Sequence, residues 1–280
     1  MSSDLANIPK NTELAPRPDY IGRDSGSLTK ISKYVTLPRV ITLQNMSPAK
    51  LLEEFGESAV IVNVNERPVL IAGPIRTNDK GKREPFGPPI KFNPIFFFEE
   101  YITWNDRKAI SAGAPRILDT SFDPNSQVAK KALNPEMRQQ PHPKDAANWK
   151  INHVQHLNFV GFLPDIAELA GTPVVISFCK GEHRTGRKFC ALAATSGTDL
   201  FSRNYEFCVE QHYSANSQYK WWGFAIANHA DCWVRPEVFE ANKKHSNQIS
   251  ELFKAKGITT EYEYEELDTE DPNLEKVTAF

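Results

Sequence analysis

The sequence is poor in the residues that would announce a stapled or metal-bound fold. Its 280 residues include four cysteines, Cys179, Cys190, Cys208 and Cys232, which are widely spaced and form no CxxC pair. With seven scattered histidines they offer no zinc spacing, and at this length a disulfide framework is not expected. No metal and no cofactor is therefore expected, and a reducing compartment is the simpler setting. Long apolar runs are also missing: nothing reaches the 18 or so residues of a membrane-spanning helix, so no membrane span is expected. The opening segment has no apolar core of signal-peptide length, which points to a cytoplasmic protein, or one delivered into a host cytosol without a cleavable signal. Nor is there an excess of one charge. Lysine and arginine number 33 against 35 acidic residues, giving a net charge of −2 and no general pull towards nucleic acid or anionic lipid.

What is present is ordinary globular material, 40% hydrophobic and 24% charged, which excludes disorder over the whole length. Residues 1–33 are polar and rich in Pro, Ser, Asp and Asn, and read as a flexible leader. At the far end, 258–280 carries Glu261, Glu263, Glu265, Glu266, Asp268, Glu270, Asp271 and Glu275, a solvated acidic tail that leaves the remainder mildly positive. Residues 34–257 between them are expected to form one folded body.

Local signals divide this body. Ser47 followed by Pro48 predicts a capped helix through Ala49, Leu51 and Leu52, stopping near Gly56. SAVIVNVN (58–65) and ERPVLIAG (66–73) read as two strands, the second turning at Gly73. The stretch 80–150, with Lys80, Lys82 and Arg83, the aromatic run Phe96, Phe97, Phe98 and many prolines, predicts an irregular insertion with one or two helices, such as 124–139. FLPDIAELAG predicts a short helix ending at Gly171. PVVISF (173–178) is a continuous apolar run suited to a buried strand, CKGEHRTG (179–186) a polar loop, and RKFCALAA (187–194) a helix. The aromatic segment 219–236 suits buried core or a contact surface.

A buried strand passing through a glycine-containing loop into a helix can aim backbone N–H groups at an anion. Lys180, Gly181, Glu182, His183, Arg184, Thr185 and Gly186 form that loop. Arg184 can clamp phosphate oxygens through two parallel hydrogen bonds. Cys179, near Lys180, His183, Arg184 and a helix N-terminus, has surroundings that favour a thiolate. The chemistry so described is a phosphate site with a possible cysteine nucleophile.

PVVISFCKGEHRTG (173–186) resembles the signature of cysteine-dependent phosphatases, His-Cys-x-x-Gly-x-x-Arg-Thr-Gly, and most of all the dual-specificity type acting on inositol pyrophosphates. VNVNERPVLIAG (62–73) and LPRVITLQNMSPAKLLEEFG (37–56) are similar to the opening segments of paladin-like and cysteine-phytase proteins. The resemblance covers about residues 35–73 and 150–197. It implies an α/β, protein-tyrosine-phosphatase-like fold: a central mixed sheet flanked by helices, with a phosphate-binding loop between a buried strand and a helix.

The signature is degenerate. Laid without gaps, Ser177 falls on the family's His and Phe178 on its nucleophilic Cys, while Gly181, Arg184, Thr185 and Gly186 match; Cys179 is one position late. INHVQHL (151–157) is similar to the family's general-acid segment, but Asn152 stands where an Asp would donate the proton, with His153 beside it and His156 as another donor. The resulting expectation is a catalytically impaired pseudophosphatase. It would bind an inositol phosphate, a phosphoprotein or a protein partner, and Lys80, Lys82, Arg83, Lys180, Arg184 and Arg187 would supply the charge. The alternatives are an active phosphatase using Cys179, Arg184 and His153, and an interaction module with a vestigial loop.

Overall fold

The computed structural model describes residues 35–260, apart from 65–66, 196, 215–218, 228–231 and 256–257. The expected leader, and the expected tail beyond residue 260, lie outside the described residues. Among the described residues most strands join one eleven-stranded mixed sheet. In chain order they are β2 (Arg39–Thr42), β3 (Val60–Val64), β4 (Arg67–Thr77), β5 (Arg83–Phe86), β6 (Ile90–Trp104), β7 (Ile117–Ser121), β8 (Gln139–His142), β9 (Asp145–Phe162), β10 (Val174–Cys179), β11 (Tyr205–Tyr213) and β12 (Lys220–Ile226). The spatial order is β12-β11-β6-β9-β10-β2-β3-β4-β5, with β7 on β6 and β8 on β9. Only the β10–β2 pairing is parallel; the other pairings in this sheet are antiparallel. A second, two-stranded parallel sheet joins β1 (Val35–Leu37) to β13 (Ile258–Thr260). Strand pairing therefore brings residues 258–260, expected to start the tail, back against the beginning of the described chain.

The helices are α1 (Ala49–Phe55), α2 (Arg107–Ser111), α3 (Gln127–Leu133), α4 (His183–Thr195) and α5 (Pro236–Lys254). The expectation of an irregular 80–150 insertion is overturned: this stretch holds β5 to β8, and β9 begins within it. β6 reads as strand because it is crowded with aromatic and β-branched residues, which suit a pleated, half-buried surface. Its one proline, Pro94, sits where the register shifts against β9, a bulge that needs no ladder N–H there. The predicted 124–139 helix shrinks to α3, whose N-terminus is capped by Ser126 accepting from the Ala129 N–H at 3.1 Å. Two further expectations change. The 162–171 helix is only a 3₁₀ turn (Ala167–Leu169). Ser47 does not cap α1; its Oγ accepts instead from the Gln44 N–H at 2.9 Å. β4 continues through Gly73 rather than turning there.

Side-chain alternation gives the sheet two different faces. On one, Val174, Ile176 and Phe178 of β10 join Leu157 and Phe159 of β9, Phe207 of β11, Phe224 of β12 and Val60 and Val62 of β3 in the largest core cluster. Phe189 of α4 is driven into its centre, with ring centroids 4.3 Å from Phe159, 4.7 Å from Tyr205 and 5.1 Å from Phe207. This face is concave, because the sheet curls until its β12 edge meets the region after β2. Gln44 closes the curl: its amide nitrogen donates to the Trp222 carbonyl at 2.6 Å, and its amide oxygen accepts from the Trp222 N–H at 2.8 Å. One side chain thus satisfies both backbone groups of an edge-strand residue. On the opposite face, Val175 and Val160 pack with Ile249 of α5.

Candidate functional site

β10 runs without a break into a 3₁₀ turn (Lys180–Glu182) and then α4. The strand–turn–helix order expected from the sequence is present, and the turn is short. The His183 N–H already donates to the Lys180 carbonyl, which closes the turn on itself. Lys180 takes a positive φ of 46° and is exposed. The expected loop residues then separate into three environments.

Cys179 and Ser177 belong to the face opposite α4. Directly across the ladder from Cys179 is His156, and across from Ser177 is Asn158, so these four side chains share one surface. His156 is 2% exposed. Its Nδ1 lies 3.0 Å from the Arg39 guanidinium and 3.2 Å from the Ser177 hydroxyl. An arginine can only donate, so Nδ1 accepts and His156 is the neutral Nε2–H tautomer. Burial, reinforced by Arg39, Lys180 and His183, holds its pKa well below the ordinary histidine range. Asn158 donates to buried Glu100 at 3.1 Å.

Gly181 and Glu182 face β12. A Cβ at residue 181 would stand 2.4 Å from the Trp221 indole, so only glycine permits this approach. The Glu182 carboxylate accepts from the Phe224 N–H at 2.9 Å. Burial pushes its pKa up to about 7, against the opposing pull of the Phe224 hydrogen bond and Arg39.

His183 and Arg184 face a third region, an open groove of about 530 Å³ lined by Arg138, His183, Arg184, Arg187, Lys188 and Ala191. Arg184, Arg187 and Lys188 recur at helical spacing and form one stripe along α4. Arg138, from the segment after α3, forms the other wall, and its Nε donates to the Ala132 carbonyl at 3.0 Å. Among the described residues none of these four cations pairs with a carboxylate. The closest acidic influence is Glu99 on β6, which accepts from Gln155 at 3.1 Å and from the Tyr101 hydroxyl. His183 is pushed below its usual pKa by burial first, then by Arg187 and Arg138, while Glu99 opposes the shift. Thr185 and Gly186 are buried beneath the helix, Gly186 against Phe178.

The remaining expected residues stand apart from the groove. Phe178 is fully buried in the main core, with its ring between Phe159, Phe189, Phe207 and Phe224. His153 is buried with Nδ1 2.8 Å from the Thr103 hydroxyl, and burial lowers its pKa. Asn152 accepts from Gln139 at 3.3 Å. On the β4–β5 hairpin, Lys82 lies 3.9 Å from Glu84 and Arg83 donates to Gln211. The structure therefore brings together Arg184, Arg187 and His183, and adds Arg138 and Lys188. It does not bring Cys179 or His153 to them. Lys188 could have been found as the i+4 neighbour of Arg184; Arg138, 46 positions upstream, leaves no local signal. Among the described residues no group of three His, Cys, Asp or Glu side chains could hold a metal ion, and no helix is long and apolar enough to cross a membrane.

The fold and groove define a mixed α/β protein with a large sheet flanked by helices and a basic groove beside the helix that follows β10. Residues 77–253 match the family model of the Pam3 phage gp34-like protein, and the chain belongs to that family. No curated protein and no solved structure matches the chain.

Proposed function

We propose that this chain binds a multiply phosphorylated small molecule, of the inositol phosphate type, without hydrolysing it. In this reading β10, the turn and α4 are the counterpart of the phosphate-binding unit of a protein-tyrosine-phosphatase-like fold, retained as an anion site after loss of catalysis. The observation that carries the proposal is the groove itself: Arg138, Arg184, Arg187 and Lys188 line one surface, and none is neutralised by a carboxylate among the described residues. Several cations held apart on two walls suit a ligand with several phosphates, since each arginine can offer two parallel donors to one group.

Hydrolysis is disfavoured by the placement of the thiol. Attack on phosphorus needs sulfur and guanidinium around one atom, and an ångström of misplacement already costs orders of magnitude. Cys179 lies with His156 on the sheet face away from α4, and Phe178, at the family's nucleophile position, fills the core.

Titration calorimetry with inositol hexakisphosphate tests the reading, with a phosphotyrosine peptide as the comparison. The expected result is salt-sensitive binding of the inositol phosphate, no phosphate release, and loss of about 100-fold in affinity in the Arg184→Glu, Arg187→Glu double variant, corresponding to roughly 3 kcal/mol for two charge-assisted contacts. Absence of binding by the folded wild type, or undiminished binding by the variant, overturns the reading. Preference for the peptide moves it to a phosphoprotein ligand.

A further inference from the structure

Glu182 poses a separate problem. It is the only acid in the turn before α4, and its carboxylate is inserted against the β11–β12 hairpin rather than directed to solvent. Its Oε1 accepts from the Phe224 N–H, and it sits so close to Gly223 that a Cβ there would approach it to 2.6 Å. The ring of His212, on β11, would come within 2.9 Å of the same Cβ, and it stacks on Trp221 with centroids 5.7 Å apart and planes 15° from parallel. Gly181, one residue before Glu182, packs on that same Trp221 indole. Two consecutive residues of the turn therefore hold the hairpin, one through a hydrogen bond and one through a ring face.

The charge around the carboxylate does not match an ion. Among the described residues Glu182 forms no ion pair. The groups packed round it are Arg39 from β2, which favours its ionised form at a distance; His212 from β11; and, from β12, the backbone N–H of Phe224 with the Trp221 indole. Its own turn contributes Lys180, exposed, and His183, directed to the groove. The only other acid at this hairpin, Glu57, is already engaged by the Trp222 indole N–H at 2.7 Å. A buried carboxylate with one neutral donor is better accommodated as the neutral acid.

We propose that Glu182 is a proton-sensitive latch between the start of α4 and the β11–β12 hairpin, closed when the carboxyl is neutral and loosened when it ionises. The device does not depend on the groove binding any ligand, and its test uses none.

The sign follows from linkage. Burial raises the folded-state pKa from 4.5 to about 7, so the folded protein holds a proton that the unfolded chain gives up over this range. The latch then adds full stability below pH 4.5, loses it progressively towards pH 7, and adds nothing above. Glutamine keeps the shape and neutrality of the acid at every pH. Glu182→Gln should melt with the wild type at pH 4.5, and about 5–10 °C above it at pH 8. Hydrogen exchange, corrected for intrinsic rates, should show residues 220–226 opening more readily at pH 8 than at pH 5 in the wild type and equally at both in the variant. The variant His212→Gln should keep the wild-type pH dependence, which separates the carboxyl from the imidazole. Coincident melting of wild type and Glu182→Gln at pH 8, or pH dependence abolished by His212→Gln, overturns the latch.

Discussion

Substituting Gly186 by alanine places helix propensity and packing in direct opposition. Gly186 lies in the first turn of α4, and replacing a helical glycine by alanine ordinarily stabilises by about 1 kcal/mol. Here the added Cβ would stand 2.6 Å from Cβ of Phe178, and 3.0 Å from both Cγ of Phe178 and Cδ1 of Leu157. The optimum for such carbon pairs is about 3.5–4.0 Å. The decisive neighbour is an atom bonded directly to the β10 backbone, which is held on one side by β9 and on the other by β2. No rotamer change moves it. Overpacking of this kind costs about 1–3 kcal/mol, and the upper end applies because strand or helix must shift as a body. After the helical gain is subtracted, Gly186→Ala should destabilise the protein by about 2 kcal/mol. Urea unfolding is the assay, with a lowered midpoint at unchanged slope. Ala191→Gly, at an exposed position of the same helix, calibrates the propensity term and should cost about 1 kcal/mol. A midpoint for Gly186→Ala equal to or above that of the wild type refutes the packing argument.

The clasp across the sheet edges makes a second prediction. Gln44→Ala leaves both the N–H and the carbonyl of Trp222 without their partner, and should cost about 2–4 kcal/mol with faster amide exchange at Trp222; unchanged exchange there removes Gln44 from the closure. Phe178→Ala, which empties part of the main core, should destabilise by about 3–5 kcal/mol by thermal or chemical unfolding, whereas a cost under 1 kcal/mol contradicts its place there. Cys179→Ser should leave inositol phosphate affinity within threefold of the wild type, because the sulfur lies on the far side of the sheet. A larger loss contradicts that placement.

The legible parts of this fold were those whose signal is local. The β3 and β10 runs of Val and Ile could be nothing but buried strands, and the α4 segment had helical composition. The 80–150 stretch misled because its strands are dressed with lysine, proline and asparagine at the ends that meet solvent, while the pairing that makes β6 and β9 strands is supplied by partners up to 69 positions away, as between Asn93 and Phe162. Propensity says little where cross-strand neighbours decide. The groove was half readable. Arg184 and Arg187 carry their helical phase in the sequence, whereas Arg138 reaches them only through the placement of α3.

The one-residue displacement of Cys179 shows why register has consequences beyond distance. In a loop, moving a side chain by one position shifts it by a few ångströms. In an extended strand the same move transfers it to the other face of the sheet. β10 keeps extended geometry to its end, with Cys179 at φ −140° and ψ 169°, so the alternation set by Val174, Ile176 and Phe178 still governs at Cys179. The even positions face α4 and the core round Phe189; the odd positions face Arg39, His156 and the α5 side. Had sulfur stood at 178 it would have faced the helix that carries Arg184. At 179 it faces a neutral histidine, and the sheet separates it from the basic groove. The same parity leaves α4 packed on an aromatic ring where a phosphate would otherwise have needed room. The cations that remain usable are therefore those presented outward along the helix, which is where the groove lies.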